Sequence, residues 1–314
     1  MGKIRVAVIG VGYMGQRHAR IFSELGNASL VGVCDESEEC RENISSLYNT
    51  TAYSDYRQLI GKVDCVSIAT PTKFHYSIAK DFLQSGAHVL VEKIITSSEK
   101  EASELIKLAK KNKLILQVGH VERYNPAVIK LGEIVSNPRF IECHRVGPYP
   151  GRGTETNVVK EVMIHDLDVI LRLVNSPVKS IDAFGAEVLS KTADIVNARI
   201  HFASGCATNI TASRVSEKPL RKIRIFQGDS YLSLDYFNQT IDISQKGENN
   251  TIKKTSVPVE KKEPLKEELR DFLDCIKYNR QPRVRGEDGL KALQLANMIC
   301  ENLSKKTLVS KTDN

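Results

Sequence analysis

Over the first third of the chain, short unbroken apolar runs alternate with stretches in which apolar residues recur at helical spacing. IRVAVI (4–9), ASLVGVCD (28–35), VDCVSIAT (63–70), HVLVEK (88–93) and LILQV (114–118) are rich in β-branched residues and have few polar positions. Strands covered on both faces read this way, whereas a half-exposed strand alternates. Between them, QRHARIFSEL and the segments near 37–48, 74–85 and 98–112 carry the helical period. Ser98 with Glu101 three residues on predicts a capping box for the last of these helices. Strand and helix in this rhythm predict an α/β fold with a doubly wound parallel sheet and helical crossovers.

After Gly119 the rhythm changes. A helix is expected near 126–136, a strand near 139–146 and a helix over 159–174, followed by short strands with turns between them. ASGC (203–206) joins DIVNARIHF to ATNITASRV, and QGDS (227–230) joins RKIRIF to YLSLDY, as hairpin turns do. The expectation is a C-terminal α+β domain with an open, largely antiparallel sheet, closed by helices near 264–279 and 287–304. The domain boundary is placed near residue 120, giving domains of 1–120 and 121–314, and GENNTIKK (247–254) and the chain ends are the expected disordered segments.

Composition narrows the function classes. With 314 residues, 41% hydrophobic and 26% charged, the chain is long enough for two ordinary cores. The net charge of +7 is spread along the chain, which suits a small anionic ligand better than nucleic acid. No apolar run is long enough for a membrane span, and the first strand starts too early for a signal peptide, so a cytoplasmic protein is expected. Seven cysteines form no CxxC pair and the seven histidines show no metal-ligand spacing, which predicts neither disulfides nor a metal site.

Gly10, Gly12 and Gly15 form GxGxxG between a predicted strand and a predicted helix, and Asp35 ends the next strand twenty residues after Gly15. That joint pattern is a dinucleotide site. Gly10 permits the tight turn, Gly12 admits the diphosphate, Gly15 lets helix and strand pack, and the helix N-terminus with Tyr13 and Met14 offers N–H groups to the phosphates. Asp35 favours NAD by accepting from ribose hydroxyls and repelling a 2′-phosphate, while Arg41 leaves NADP open. Thr70, Pro71 and His75 follow the third long strand, where such sheets present their ligand crevice. Glu92 and Lys93 leave the fourth strand at the same edge.

GxGxxG at 10–15, ATPTKFH at 69–75, VEK at 91–93, VGHVERYNP at 118–126 and IHDLD at 164–168 together resemble the Gfo/Idh/MocA oxidoreductases from end to end. The resemblance implies a Rossmann domain, a second domain whose sheet serves in homo-oligomer contacts (dimer or tetramer), and oxidation or reduction of a carbinol carbon. It also matches Lys93 to the lysine of the family's EKP motif and His165 to the histidine on the substrate-side helix. If 159–174 is one α-helix, Glu161, His165 and Asp168 share a face, with Val162, Val169 and Leu173 as an apolar flank facing the Rossmann domain. His165 then suits the general base and Lys93 the group that orients the hydroxyl and stabilises an alkoxide, with the reverse assignment left open. Two departures stand out: Ile94 replaces the motif's proline, and Glu161 replaces an aspartate.

The segments VGHVERYNPAV and FIECHRVGPYPGRGTETNVVKEVMIHDLD resemble the nucleotide-sugar branch, whose members act on UDP-N-acetylglucosamine. Arg123, Arg145 and Arg152 are then candidates to hold a diphosphate, and Tyr124, Asn125, Tyr149 and Asp168 to contact the sugar. Free sugars or inositol are the alternative substrates. A non-catalytic NAD-binding regulator of the same fold is the alternative of a different class.

Overall fold

All five apolar runs are strands, and each is followed by the helix its spacing predicts or by a turn. The computed structural model describes residues 2–151, 156–248 and 251–312, with side chains as far as Lys305. The first part of the chain runs β1 (Ile4–Ile9), α1 (Tyr13–Glu24), β2 (Ala28–Cys34), α2 (Glu38–Tyr48), β3 (Thr51–Tyr53), β4 (Cys65–Ile68), α3 (His75–Gln84), β5 (His88–Glu92), α4 (Glu99–Lys111) and β6 (Leu116–Gly119). The strands pair in parallel in the order β3-β2-β1-β4-β5-β6, a doubly wound Rossmann sheet. β3 escaped the sequence reading because three residues are too few to show a period. The capping box on α4 forms in full between Ser98 and Glu101.

The rest of the chain runs α5 (Pro126–Ile134), β7 (Phe140–Val146), a π-helical turn (Val159–Met163), α6 (Ile164–Val174), β8 (Val178–Ala186), β9 (Ile195–Phe202), β10 (Ala207–Ser213), β11 (Leu220–Gln227), β12 (Ser230–Asp235), β13 (Thr240–Lys246), β14 (Ile252–Val257), α7 (Pro264–Tyr278) and α8 (Gly286–Thr312). Strands β7 to β14 make one sheet in the order β14-β13-β12-β11-β7-β10-β9-β8. Both predicted hairpins form, β9 with β10 and β11 with β12. β7 and β10 are parallel, an exception in a sheet otherwise antiparallel. Residues 252–254 of the stretch expected to be disordered begin β14, which pairs with β13 from Ile252 to Val257; Asn249 and Asn250 lie outside the described residues.

The chain divides into two units, Met1–Val121 with Glu263–Leu290, and Glu122–Lys262 with Lys291–Asn314. The chain leaves the first unit after Val121, returns to it at Glu263 and leaves it again after Leu290. The reason is a packing one: Leu265, Leu269, Phe272 and Leu273 on α7 belong to the same core as Val6, Val8, Phe22 and Val33 of the Rossmann sheet and α1. In the second unit, Asn302 on α8 accepts the Ala183 amide at 2.9 Å and donates to the Ile181 carbonyl at 3.1 Å, fastening that helix to β8.

Candidate functional site

The glycine turn after β1 is shaped for close approach. Gly10 has φ +83, and a Cβ there would sit 2.8 Å from the Ala69 carbonyl oxygen. A Cβ at Gly15 would fall 1.7 Å from the Gly10 oxygen, so helix and strand meet only because this residue has no side chain. At Gly12 a Cβ would meet nothing within 4 Å, which leaves the backbone open on that side. Gly12 is the N-cap of α1 and supplies no side-chain cap, and the first turn has no acid. The helix-start N–H groups are thereby offered to an anion. Asp35, at the end of β2, accepts the Val11 amide at 2.8 Å and the Ser37 amide at 2.9 Å, which holds its carboxylate beside the turn. These residues fit a dinucleotide: the α1 N-terminus for the diphosphate and Asp35 for ribose hydroxyls. Arg41 turns back on α2, donating to the Glu36 carbonyl at 3.2 Å with Glu38 at 3.7 Å and Glu42 at 3.9 Å.

Thr70 and Pro71 follow β4, and His75 opens α3. His75 is buried, with Nε2 2.8 Å from the Thr70 carbonyl and Nδ1 2.8 Å from the Ile94 carbonyl, so it braces the loop after β4 against the loop after β5. Burial holds its imidazole below the ordinary value despite the two carbonyls. Lys93 is half-buried directly after β5, and the Lys93–Ile94 peptide is cis. Glu92 accepts the Lys93 amide at 3.1 Å and approaches His18 on α1 at 3.2 Å. Sequence reading passed over His18; the available signal was one polar residue on the apolar face otherwise formed by Gly15, Ala19, Ile21 and Phe22.

In the second unit, the segment carrying Glu161 and His165 departs from the expected helix. Val159–Met163 is a π turn and α6 starts only at Ile164. Because a π turn is wider than an α turn, the same-face relation of Glu161 to His165 and Asp168 no longer follows from the i, i+4, i+7 count. Glu161 and His165 are half-buried, whereas Asp166 and Asp168 are buried. Asp166 takes two bonds from Arg145, 2.8 Å from Nε and 3.0 Å from Nη2, and Glu122 takes a third from Nη1 at 2.9 Å. Arg123 donates to Asp168 at 3.2 Å.

Several residues expected to touch substrate belong to this network. Arg145 is 4% exposed, bonded to two carboxylates and 4.8 Å from the Tyr236 ring, so its guanidinium serves an internal network. Arg123 and Asp168 are buried against each other. Asn125 caps α5 by accepting the Ala127 amide at 3.1 Å, and it donates to Glu122 and to the Tyr236 carbonyl. Tyr124 is buried in the 3-10 turn of Val121–Tyr124. Tyr149 remains accessible, 37% exposed, and Arg152 lies outside the described residues.

Residues 4–120 match the family described as "Oxidoreductase family, NAD-binding Rossmann fold", GFO_IDH_MocA. The chain is 33% identical over 299 residues to the UDP-N-acetylglucosamine 3-dehydrogenase of Acidithiobacillus ferrooxidans, covering 93% of this chain and 95% of that protein. The chain belongs to the Gfo/Idh/MocA oxidoreductases. A solved structure of that A. ferrooxidans family member superposes with a TM-score of 0.91 at 32% identity, covering 96% of this chain and 98% of the other. The myo-inositol 2-dehydrogenase of Thermotoga maritima is 25% identical over 98% of both chains. As a Gfo/Idh/MocA protein with an NAD-binding Rossmann fold, the chain is an NAD(P)-dependent dehydrogenase acting on CH–OH groups.

Proposed function

We propose that this protein oxidises the 3-hydroxyl of UDP-N-acetylglucosamine. The observation that carries the reading is likeness over nearly the whole chain to a protein of that activity, in a sequence that also has Lys93 and His165 at the motif positions. NAD, held by the β1–α1 turn and Asp35, would supply the hydride acceptor for the carbinol carbon. His165 takes the hydroxyl proton, imidazole being the side chain whose ordinary proton exchange lies closest to neutral pH. The Lys93 ammonium orients the hydroxyl and stabilises negative charge growing on its oxygen. Glu161 is the third member of the catalytic set. Tyr149 and Arg152 are assigned to the nucleotide-sugar, Arg145 being engaged elsewhere.

The test is NADH production at neutral pH with UDP-N-acetylglucosamine and a trap for the 3-keto product. Lys93→Ala and His165→Ala are each expected to lower kcat by about 10²–10⁴-fold with NADH still bound. Lys93→Arg separates the two role assignments: retained partial activity fits an electrostatic lysine, and activity as low as in Lys93→Ala makes the lysine the base. No signal with NAD bound sinks this substrate; turnover of inositol or a free sugar instead supports the alternative reading, and none at all supports a non-catalytic regulator.

We further assign the protein to the cytoplasm as a homo-oligomer. No helix among the described residues is long and apolar enough to cross a membrane. The outer face of the second unit's sheet, where Arg224 and Glu142 pair at 2.9 Å, is the surface we assign to self-association. Light scattering of the purified protein reads its mass directly, and a monomer at micromolar concentration refutes the assignment.

A further inference from the structure

The Rossmann unit buries three polar side chains for which the scheme above has no task. Ser67 on β4 and His18 on α1 have no exposure, and Glu92 at the end of β5 has 8%. Ser67 Oγ lies 2.7 Å from His18 Nδ1, His18 Nε2 lies 3.2 Å from Glu92 Oε1, and Glu92 Oε2 accepts the Lys93 amide at 3.1 Å. The chain of contacts runs from the helix behind the glycine turn, through the sheet, to the backbone of Lys93. Gly119 on β6 closes the other side, since a Cβ there would come within 3.0 Å of the Glu92 carboxyl.

Burying three polar groups between a helix and a parallel sheet is unfavourable beside an apolar filling of the same volume. Satisfying His18 explains Ser67, but nothing in the packing calls for either. What the group secures is the carboxylate next to Lys93. Burial would drive that carboxyl to its neutral form; the His18 imidazole and the adjacent Lys93 outweigh it and hold it below the ordinary range. A charged carboxylate only accepts, which suits the Lys93 N–H, whereas a protonated one offers a donor in the same space.

We propose that His18 is a positioning residue for Lys93: from 3.2 Å it holds the Glu92 carboxylate turned toward the Lys93 amide, and so fixes where the lysine leaves β5. Lys93's own task rests on the reaction proposed above; the hold of His18 on Glu92 does not. Two readouts keep these apart.

The first needs no turnover. In protein labelled with [5-¹³C]glutamate, the Glu92 carboxyl resonance is identified by its loss in Glu92→Gln, and its titration midpoint is followed in variants. His18→Leu is expected to raise the midpoint by about one pH unit or more. His18→Gln, which keeps an N–H near the Nε2 position, raises it much less. The second readout is the acid limb of kcat in the dehydrogenase assay, expected to move up with the midpoint in His18→Leu while KM stays within about two-fold. A Glu92 midpoint in His18→Leu equal to that of the wild type overturns the proposal, as does a kcat limb that stays in place while the midpoint moves. If the wild-type protein oxidises no alcohol, the proposed reaction fails and the carboxyl titration alone decides whether His18 governs Glu92. Should His18→Leu not fold, Ser67→Ala takes its place, with a smaller shift in the same direction expected and an unchanged midpoint counting against the proposal.

Discussion

At the scale of single residues, the chemistry of this protein depends on which charges are held inside and which are left accessible. Arg145 answers Asp166 and Glu122 together, through a fork geometry that one ammonium cannot reproduce. Arg145→Met is therefore expected to cost about 3–5 kcal/mol in urea unfolding, because two buried carboxylates lose their partner, and Arg145→Lys is expected to recover little of it. Asp194 is a second such centre. It has no exposure and accepts the amides of Val188 at 2.9 Å, Leu189 at 2.6 Å and Ser190 at 2.9 Å together with Arg214 Nε at 2.8 Å. Burial opposes its charge, but these donors prevail and hold its carboxyl well below the ordinary value. A folded pKa below the unfolded ~3.9 gives stability that is fully present above that pH and is lost as the pH falls through the folded value. The stability gap between the wild type and Asp194→Asn is expected to be constant from pH 7 to about pH 4 and to narrow below it, as acid titration of the two unfolding curves will read.

At the scale of elements, one short piece in each unit departs from regular structure where chemistry is expected. In the β1–α1 turn, three glycines serve three purposes, and the space around each predicts a different phenotype. Gly15→Ala forces a methyl into the Gly10 carbonyl, so loss of folding stability and of cofactor binding is expected together. Gly12→Ala has room in the protein itself, with φ −70, but fills the side that the diphosphate approaches. Its melting temperature should stay near that of the wild type while NADH affinity, read by fluorescence titration, falls by about ten-fold or more. The second piece is the π turn before α6. Arg214 donates to the Thr156 carbonyl at 2.7 Å and the Val158 amide donates to Ala193 at 3.2 Å, so the Asp194 centre also secures the approach to this turn. A sequence period cannot register one wide turn inside a helical run, and that is why the expected face of Glu161, His165 and Asp168 was drawn for an uninterrupted α-helix.

At the scale of the whole molecule, the dinucleotide-binding unit is made from two separated pieces of chain. α7 returns to it after the second unit's sheet is complete, and it buries Leu265, Leu269, Phe272 and Leu273 in the Rossmann core. Phe272 has no exposure. Phe272→Ala is expected to cost about 3–5 kcal/mol, and NADH at saturating concentration should recover part of the lost melting temperature because it binds the folded form of that unit. A melting temperature unchanged from the wild type would show that α7 adds nothing to this core.

By itself the sequence determined the parallel Rossmann sheet, the glycine turn with Asp35, the capping box of α4 and both hairpins, because each is written in local spacing or in a short motif. Tertiary structure alone decided what the charged residues of the second unit are for. The ion pairs of Arg123 with Asp168, 45 residues apart, and of Arg145 with Asp166, 21 residues apart, carry no local signal, because an arginine in a motif looks the same whatever carboxylate it meets. It also decided the return of α7, since an amphipathic helix carries no record of which core it joins. The contact of His18 with Glu92 belongs to the same class: it joins residues 74 positions apart, and only the folding of α1 onto the sheet brings them within 3.2 Å.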